Sequence, residues 1–349
     1  MFLLLGIVAG ASPAFGEMLL LESLRDSFQE ATAALRQQGI DVSEKRVRSV
    51  ALAIGRLSLE ARERRLAALQ VKVDSGSPVD GGRPSCRGKR LAVAMDGGRV
   101  LIRTNNKGRR TAKGFHTYRT DWREPKLFII YELDDAGRKK RRSMVKCDGT
   151  IGNPDALVRL LVAELRSIGA DEAETVVFLG DGAKWIWNRI PDIARQAGIS
   201  DVRRRVCLDY YHAVEHLGII AAAKAFTSGK DRQKWIERMK KQLKTVSPSA
   251  FLAELAKSRR KGNTVIRREY TYFQNNMSAI DYATLIKARL PIGSGSIESA
   301  VRRVVNLRIK AAGTFWTLEN AEAMLHLRCQ LKSNNWKEFY DELLANMAA

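Results

Sequence analysis

The sequence is poor in cysteine and has no long apolar segment. Its 349 residues include four cysteines, and no two of them have the spacing of zinc ligands. A chain of this length can build a hydrophobic core without disulfide bonds, so we expect reduced thiols, as in a cytoplasmic protein. No stretch stays apolar for long enough to span a bilayer, and a membrane protein is therefore not expected.

Acidic residues are too few to balance the basic ones. The chain has 60 Lys and Arg against 38 Asp and Glu, which gives a net charge of +22 and a pI near 10.1. A field of this sign favours nucleic acid or an anionic membrane as partner, and without a membrane segment the sequence indicates nucleic acid. The apolar start, residues 1–16, lacks the Lys or Arg that open a secretory signal, so we expect an apolar helix or an irregular start there.

Residues 1–70 have the pattern of a helical DNA-binding region. Apolar residues at three- to four-residue spacing predict a first helix, Gly39 breaks it, and Ser43 is placed to cap a second helix. Helix, turn and basic helix is the outline of a helix-turn-helix, in which Arg46 and Arg48 of the second helix would contact DNA. A plain solvated helix face accounts for these two arginines equally well.

Residues 71–87 are rich in Gly, Ser, Pro and Asp, which predicts a linker. Residues 88–212 then predict three strands, a helix, a strand, a helix and a strand, and the first two strands flank Gly97-Gly98 as in a hairpin. This order predicts an α/β fold with a mixed sheet and flanking helices. Residues 213–290 have a helical and very basic pattern, and residues 291–349 are again helical.

Three carboxylates occupy positions that such a sheet would bring together. Asp96 and Asp181 end the first and fourth predicted strands, and each is followed by a glycine that turns the chain away from the sheet edge. Facing carboxylates repel each other, and a hard divalent cation relieves the repulsion. Glu298, near the start of a late helix, would supply a third oxygen ligand, and such a set suits Mg²⁺ or Mn²⁺. Taken singly, each Asp-Gly pair is more often a plain turn.

The stretches around these residues carry a family resemblance. GDGAKWIWN, which contains Asp181, and GSGSIESAVRRVVNLRIKAAGTFWTLENAEAMLHLRC, which contains Glu298, resemble the ISKra-type family of bacterial insertion-sequence transposases. CLDYYHAVEHL resembles the Asp-x-x-His signature of related Mutator-like groups, here at Asp209 and His212. The resemblance spans residues 88–340.

The resemblance implies a ribonuclease-H-like fold in which residues 88–212 and 291–349 form the catalytic core and residues 213–290 are an all-helical insertion. Asp96, Asp181 and Glu298 would be the DDE triad. The implied enzyme binds double-stranded DNA, both the terminal repeats of its element and the target. It cleaves and transfers DNA strands with two Mg²⁺ ions about 3.5–4 Å apart, and Mn²⁺ can substitute. It would act as a homo-oligomer on DNA in the bacterial cytoplasm, associated with the nucleoid.

Basic residues that follow Glu298 would hold the DNA backbone. Arg302, Arg303, Arg308 and Lys310 lie on its helix or just past it, although positions one apart on a helix cannot all face one groove.

Two further residues have open interpretations. His212 would touch the scissile DNA or orient a catalytic group, or it would only make a buried hydrogen bond. Trp316 lies in a basic context and is a candidate for stacking on unpaired bases. Trp185 and Trp187 have apolar neighbours, so core packing is expected for them.

Two other functions fit parts of the pattern. A ribonuclease-H-like nuclease such as a junction resolvase would share the metal site, but the long helical insertion and the N-terminal region argue against it. A non-catalytic or domesticated DNA-binding relic would not need the three carboxylates, and all three are present.

Overall fold

A computed structural model describes residues 6–74, 85–114, 116–259, 262–311 and 314–348. The first five residues of the predicted apolar start and residues 75–84 of the predicted linker lie outside these ranges. The linker prediction is wrong at the two ends of residues 71–87 that lie within the described ranges. The first of these residues, Val71 to Asp74, belong to a helix, and Cys86 is buried with its thiol 2.9 Å from the carbonyl oxygen of Ile168.

Five strands form a mixed sheet, and two strands form a separate ribbon. The strands of the described ranges are β1 Arg90–Gly97, β2 Val100–Arg110, β3 His116–Arg123, β4 Lys126–Glu132, β5 Val145–Thr150, β6 Thr175–Gly180 and β7 Arg204–Leu208. The sheet has the order β5-β4-β1-β6-β7, with β4 antiparallel to β1 and β5, and β6 parallel to β1 and β7. The predicted α/β class with a mixed sheet is therefore confirmed.

The predicted hairpin of the first two strands is wrong. β1 pairs with β4 and β6, whereas β2 pairs antiparallel with β3 in the two-stranded ribbon. The Gly98 amide donates to the Pro125 carbonyl oxygen at 2.8 Å, which holds together the points where the chain leaves the sheet and returns to it. The basic stretch expected between two strands thus forms most of the ribbon. Strands β3 and β5 were not predicted.

Helices cover both faces of the sheet and make up most of the remaining chain. The α-helices of the described ranges are α1 Pro13–Arg25, α2 Phe28–Gln37, α3 Glu44–Asp74, α4 Pro154–Ser167, α5 Lys184–Trp187, α6 Ile190–Gln196, α7 Tyr210–Ala223, α8 Gly229–Thr245, α9 Pro248–Ala256, α10 Thr264–Asn275, α11 Tyr282–Lys287, α12 Gly295–Val301, α13 Leu318–Lys332 and α14 Trp336–Ala348. A π-helix, Arg302–Ile309, continues α12. None of the described helices is long and apolar enough to cross a membrane.

The two faces of the sheet follow from the alternation of side chains along β1. Leu91, Val93 and Met95 pack in one buried cluster with α4 and α6, while Ala92 and Ala94 pack in the other with α12, α13 and the N-terminal helices. The cap predicted for α4 is confirmed, since the Asn153 side chain accepts from the Ala156 amide at 2.9 Å and Pro154 opens the helix.

The N-terminal helices share their core with the sheet. The cap predicted at Ser43 is present, because its hydroxyl accepts from the Arg46 amide at 3.3 Å where α3 begins. Helix α3 has 31 residues and packs along α13. In its second half, Arg62 lies 2.9 Å from Glu322 and 3.6 Å from Asp148. The outline of helix, turn and basic helix is present, but α3 is docked along most of its length.

The chain passes from β7 into the helices α7 to α11, and it later enters α12 close to the place where it left β7. We call this place the neck. Asp209, which directly follows β7, is 2% exposed. One of its carboxylate oxygens accepts from the His212 amide at 2.8 Å, and the other accepts from both the amide and the hydroxyl of Ser294, the hydroxyl at 2.6 Å. The Tyr210 amide donates to the Ile292 carbonyl oxygen at 2.8 Å. The carboxylate therefore joins the start of the helical segment to the chain that enters α12.

We predict that Asp209→Asn lowers the free energy of unfolding by about 1–3 kcal/mol, because an amide nitrogen then faces the Ser294 amide and leaves a buried donor without its acceptor. Urea unfolding followed by circular dichroism measures this change. Asp281→Asn is the matched control: Asp281 caps α11 through the Thr284 amide alone, and Asn caps helices as well as Asp does. Equal effects of the two substitutions would contradict the role given to the neck.

Candidate active site at one edge of the sheet

Asp96 and Asp181 lie at the same edge of the sheet because β1 and β6 are parallel neighbours. Ala94 lies opposite Leu179, and the same register carried two residues further sets Asp96 opposite Asp181. Adjacent strands are about 4.8 Å apart, so the two residues are close neighbours. Each carboxylate accepts a local main-chain amide, Asp96 from Gly97 at 2.7 Å and Asp181 from Ala183 at 2.9 Å. The expected juxtaposition of the two strand ends is present.

Glu298 returns to the same edge on α12. This helix packs against β1 and β4, and Ile297 and Ala300 are buried in that contact while Glu298 is exposed between them. The negative charges of Asp181 and Glu298 both act on Asp96. The chain thus brings together the three carboxylates that the sequence singled out.

Burial is the main cause of an unusual pKa at Asp96. The pKa of Asp96 is raised from 3.8 to about 6, and desolvation is the largest cause. The hydrogen bond from the Gly97 amide lowers this pKa, the charges of Asp181 and Glu298 contribute to the rise, and the charge of His212 opposes it. Asp96 therefore sits where a negative charge is costly and where a cation would relieve the cost.

The three carboxylates have no basic partner in the described part of the chain, although basic residues predominate in the sequence. None of them forms an ion pair there with Lys, Arg or His within 4.0 Å. Among the described residues no three His, Cys, Asp or Glu side chains stand close enough to share one metal ion. The three carboxylates thus supply the oxygen donors that a hard cation prefers. Among the described residues, they are further apart than the ligands of one bound ion.

The helical segment supplies a layer of contacts behind Asp181 that the sequence did not reveal. The Tyr272 hydroxyl donates to the main-chain carbonyl of Asp181 at 3.0 Å. Its ring stacks on His216 at 3.6 Å between centroids, and His216 bonds through Nδ1 to the buried Glu269. Burial raises the pKa of Tyr272, which keeps the phenol a donor. These residues are far from the strand ends in sequence, and no local motif marks them.

His212 lies at the rim of the cluster. Its side chain is 39% exposed, and Nδ1 lies 3.3 Å from the Glu215 carboxylate. Its charge acts on Asp96, which places it near the carboxylates, while its amide is held by Asp209. A catalytic role for His212 stays a prediction.

Three of the four basic residues predicted after Glu298 are exposed. Arg302 and Arg303 begin the π-helix, and Lys310 follows its end, where its amide donates to the Val305 carbonyl oxygen at 2.9 Å. Arg302 comes four residues after Glu298, so both lie on one side of the helical segment. A π-helix is rare and often occurs at functional sites.

Arg308 is a correction, because it is 2% exposed. Its Nε donates to the carbonyl oxygen of Ser23 at 2.9 Å in the last turn of α1, where carbonyls lack partners within the helix. Desolvation lowers its pKa to about 10. The residue therefore closes the end of α1 and is not available to DNA in this structure.

Trp316 is also a correction. It is 7% exposed, and its indole Nε1 donates to the Ile309 carbonyl oxygen at 3.0 Å. A ring buried in this way cannot stack on a base. Trp187 packs against both buried clusters, as expected, and Trp185 packs against one of them.

The two arginines at the start of α3 differ in their surroundings. Arg46 is half-buried and bonds through Nη1 to the carbonyl oxygen of Ala9. Arg48 is exposed and lines a cavity of about 890 Å³ beside the base of the ribbon. Contact with DNA by these two residues stays a prediction.

We predict that Asp96→Asn stabilises the metal-free protein at neutral pH and not at pH 4. The pKa of about 6 in the folded protein exceeds the ordinary 3.8, so the folded state holds this proton more tightly than the unfolded state. Stability from this group is therefore greatest in acid and is lost as the pH rises from about 4 to 6. The cost at pH 7 is at most about 3 kcal/mol.

Urea unfolding of both proteins in chelator at pH 4 and pH 7 measures this difference. The Asn side chain keeps the bond from the Gly97 amide, so the comparison isolates the charge. Asp41→Asn, at a fully exposed position, should change nothing at either pH. Equal stability of Asp96→Asn and the parent protein at pH 7 would contradict the raised pKa of Asp96.

Comparisons with protein-family models, with curated proteins and with solved structures found no match for this chain. The chemistry of the site therefore rests on the geometry of its own residues.

Proposed function

We propose that this chain is a DDE transposase of the ISKra type, an enzyme of DNA recombination that moves an insertion sequence. The observation that carries the proposal is the convergence of Asp96, Asp181 and Glu298 at one sheet edge without basic partners in the described ranges, in a chain of net charge +22. The strand order β5-β4-β1-β6-β7 with β4 alone antiparallel supports a ribonuclease-H-like core.

The three carboxylates would hold the divalent cations. Their oxygen donors suit Mg²⁺, or Mn²⁺ in its place. The Glu298 carboxylate makes no hydrogen bond within the described residues, so its flexible side chain is able to turn toward the aspartates. When bound, two such ions activate the attacking oxygen and stabilise the leaving oxygen of a phosphodiester.

The protein itself would orient the reacting groups and supply an electrostatic field around them. The Tyr272 hydroxyl and the Ala183 amide fix the main chain and the carboxylate of Asp181. Arg302 and Arg303 project from the segment that carries Glu298 and would bind phosphates of the DNA strand that approaches the carboxylates. Fixed groups of this kind promote phosphoryl transfer mainly by orientation and electrostatic stabilisation.

Two features of the fold favour the transposase over its rivals. A helical segment between β7 and α12 and a helical N-terminal region are both present, and a compact resolvase would need neither. A DNA-binding relic would need no cluster of unpaired carboxylates. We further propose that the protein binds terminal repeats and target as double-stranded DNA and assembles as a homo-oligomer on it.

We predict that Asp181→Asn lowers Mg²⁺-dependent cleavage by at least about 100-fold, because a carboxylate that binds the cation directly matters more than outer partners, whose loss costs about 10- to 100-fold. Labelled DNA ends from the element that flanks the coding sequence are incubated with Mg²⁺, and 3′-hydroxyl products and joined products are counted. DNA binding in chelator should persist.

Asp192→Asn is the control for that experiment, because Asp192 is a half-exposed carboxylate in α6 that is paired with Arg195 and Gln196. Cleavage by Asp181→Asn at the rate of the parent protein would remove Asp181 from the site. Cleavage by the parent protein without joined products would favour a nuclease over a transposase.

We predict that the DNA affinity falls steeply with salt, with a log–log slope of about −0.9 for each phosphate contact. Arg302→Ala and Arg303→Ala should each make the slope shallower by about one. Arg308→Ala should leave the slope unchanged and lower the melting temperature, because its guanidinium is buried against α1. Fluorescence anisotropy over a salt series measures the slopes. A salt-independent affinity would exclude an electrostatic DNA groove.

A further inference from the structure

The ribbon of β2 and β3 has one buried and one exposed face at its base. Val100 and Ile102 are 0% and 5% exposed, and Ile102 pairs with Trp316, which is buried on the same side. The pairing is held by the Arg103 amide, which donates to the Trp316 carbonyl oxygen at 2.7 Å. Because successive side chains alternate, Phe315 lies on the opposite side from Trp316.

The other side of the ribbon is a surface of arginines and aromatic rings. We call it the ribbon face, and it consists of Arg99, Arg103, Tyr118, Trp122 and Phe315. Tyr118, Trp122 and Phe315 are 54%, 52% and 45% exposed. The Arg103 guanidinium lies 3.1 Å from the centre of the Tyr118 ring, and that of Arg99 lies 5.3 Å from the centre of Trp122. The ring centres of Tyr118 and Phe315 are 6.3 Å apart.

The charge of the ribbon matches a polyanion. Residues 99–123 contain eight Lys and Arg and one acidic residue, Asp121. Exposed apolar groups that lie together often mark an interaction site, and rings spaced between arginines offer flat apolar area together with positive charge. An unpaired nucleobase beside its phosphate needs both, whereas an apolar protein partner would leave the charges unpaired.

The ribbon also starts next to the carboxylates. Asp96 lies in β1, and β2 begins at Val100, four residues later. Phe315 follows the π-helix that continues from the helix of Glu298. The chain that follows Asp96 and the chain that follows Glu298 therefore both lead to the ribbon face.

We propose that the ribbon face binds unpaired bases of a DNA strand next to the position of cleavage, by stacking on Tyr118, Trp122 and Phe315 while Arg99 and Arg103 hold the adjacent phosphates. The proposal deepens the proposed function, on which its choice of DNA rests. It assigns to this chain a site for single-stranded DNA, separate from the carboxylates.

The test uses two DNA probes with the full-length protein in chelator, so that no cleavage takes place. One probe is a blunt duplex, and the other is the same duplex with a short single-stranded overhang that contains 2-aminopurine. The parent protein should prefer the overhang and quench the fluorescence of the modified base. Trp122→Leu should lose this preference by roughly 5- to 100-fold, whereas Trp122→Phe should retain most of it, because the base needs a ring and not only an apolar side chain.

Arg119→Ala is the matched control, since its exposed side chain lies on the opposite face of the same strand. It should weaken both probes alike and leave the preference for the overhang unchanged. Thermal melts verify that the variants fold. Equal behaviour of Trp122→Leu and the parent protein, or of Trp122→Leu and Trp122→Phe, overturns the proposal.

Failure of the ribbon proposal can be distinguished from failure of the proposed transposase function. If Asp181→Asn abolishes cleavage and Trp122→Leu still prefers the overhang, the ribbon proposal fails alone. If the parent protein never cleaves DNA but prefers the overhang through Trp122, the DNA site stands without the enzyme. If Trp122→Leu instead changes the oligomeric state in sedimentation with its overhang preference intact, the ribbon face joins protein copies and the proposal is overturned.

Discussion

The carboxylate of Asp209 is the contact on which the arrangement of the site depends. It accepts the amide of His212 at the start of α7 and both the amide and the hydroxyl of Ser294 before α12. More than eighty residues lie between the two donors in the chain, and closing so long a loop has an entropic cost that specific bonds must offset. This closure, together with the packing of α12 against β1 and β4, brings Glu298 back to the edge where β1 and β6 end.

The same closure lets the helical segment act on the sheet. Tyr282 donates to the Leu208 carbonyl oxygen at 2.9 Å, and Tyr272 donates to that of Asp181 at 3.0 Å. The two tyrosines thus fix the main chain where β6 and β7 end. Burial and the charges of Asp181 and Glu298 raise the pKa of Asp96 to about 6. The helical segment therefore helps to position Asp181, one of the two negative charges that act on Asp96.

Local signals predicted the elements that carry the carboxylates, and tertiary contacts decided the rest. The apolar run of β6 and the cap at Asn153 were sufficient to place β6 and α4. The turn at Gly97-Gly98 predicted a hairpin, but a glycine turn does not say which strand becomes the partner. β5 was missed because its six residues include Lys, Asp and Gly. Tyr272 was invisible because its partner is a main-chain carbonyl that lies 91 residues away in sequence.

The neighbouring residues Trp316 and Phe315 have opposite environments, because successive side chains of a strand point to opposite sides. Both are aromatic neighbours in one basic stretch, and composition gives no reason to choose between them. Pairing with β2 settles the choice, because the register that places Trp316 beside Ile102 turns Phe315 to the other side. Burial of Trp316 is then the condition for the exposure of Phe315. The ring that anchors the ribbon to the core and the ring that it offers to solvent are adjacent residues, so a change in the register of this short pairing would reverse their roles.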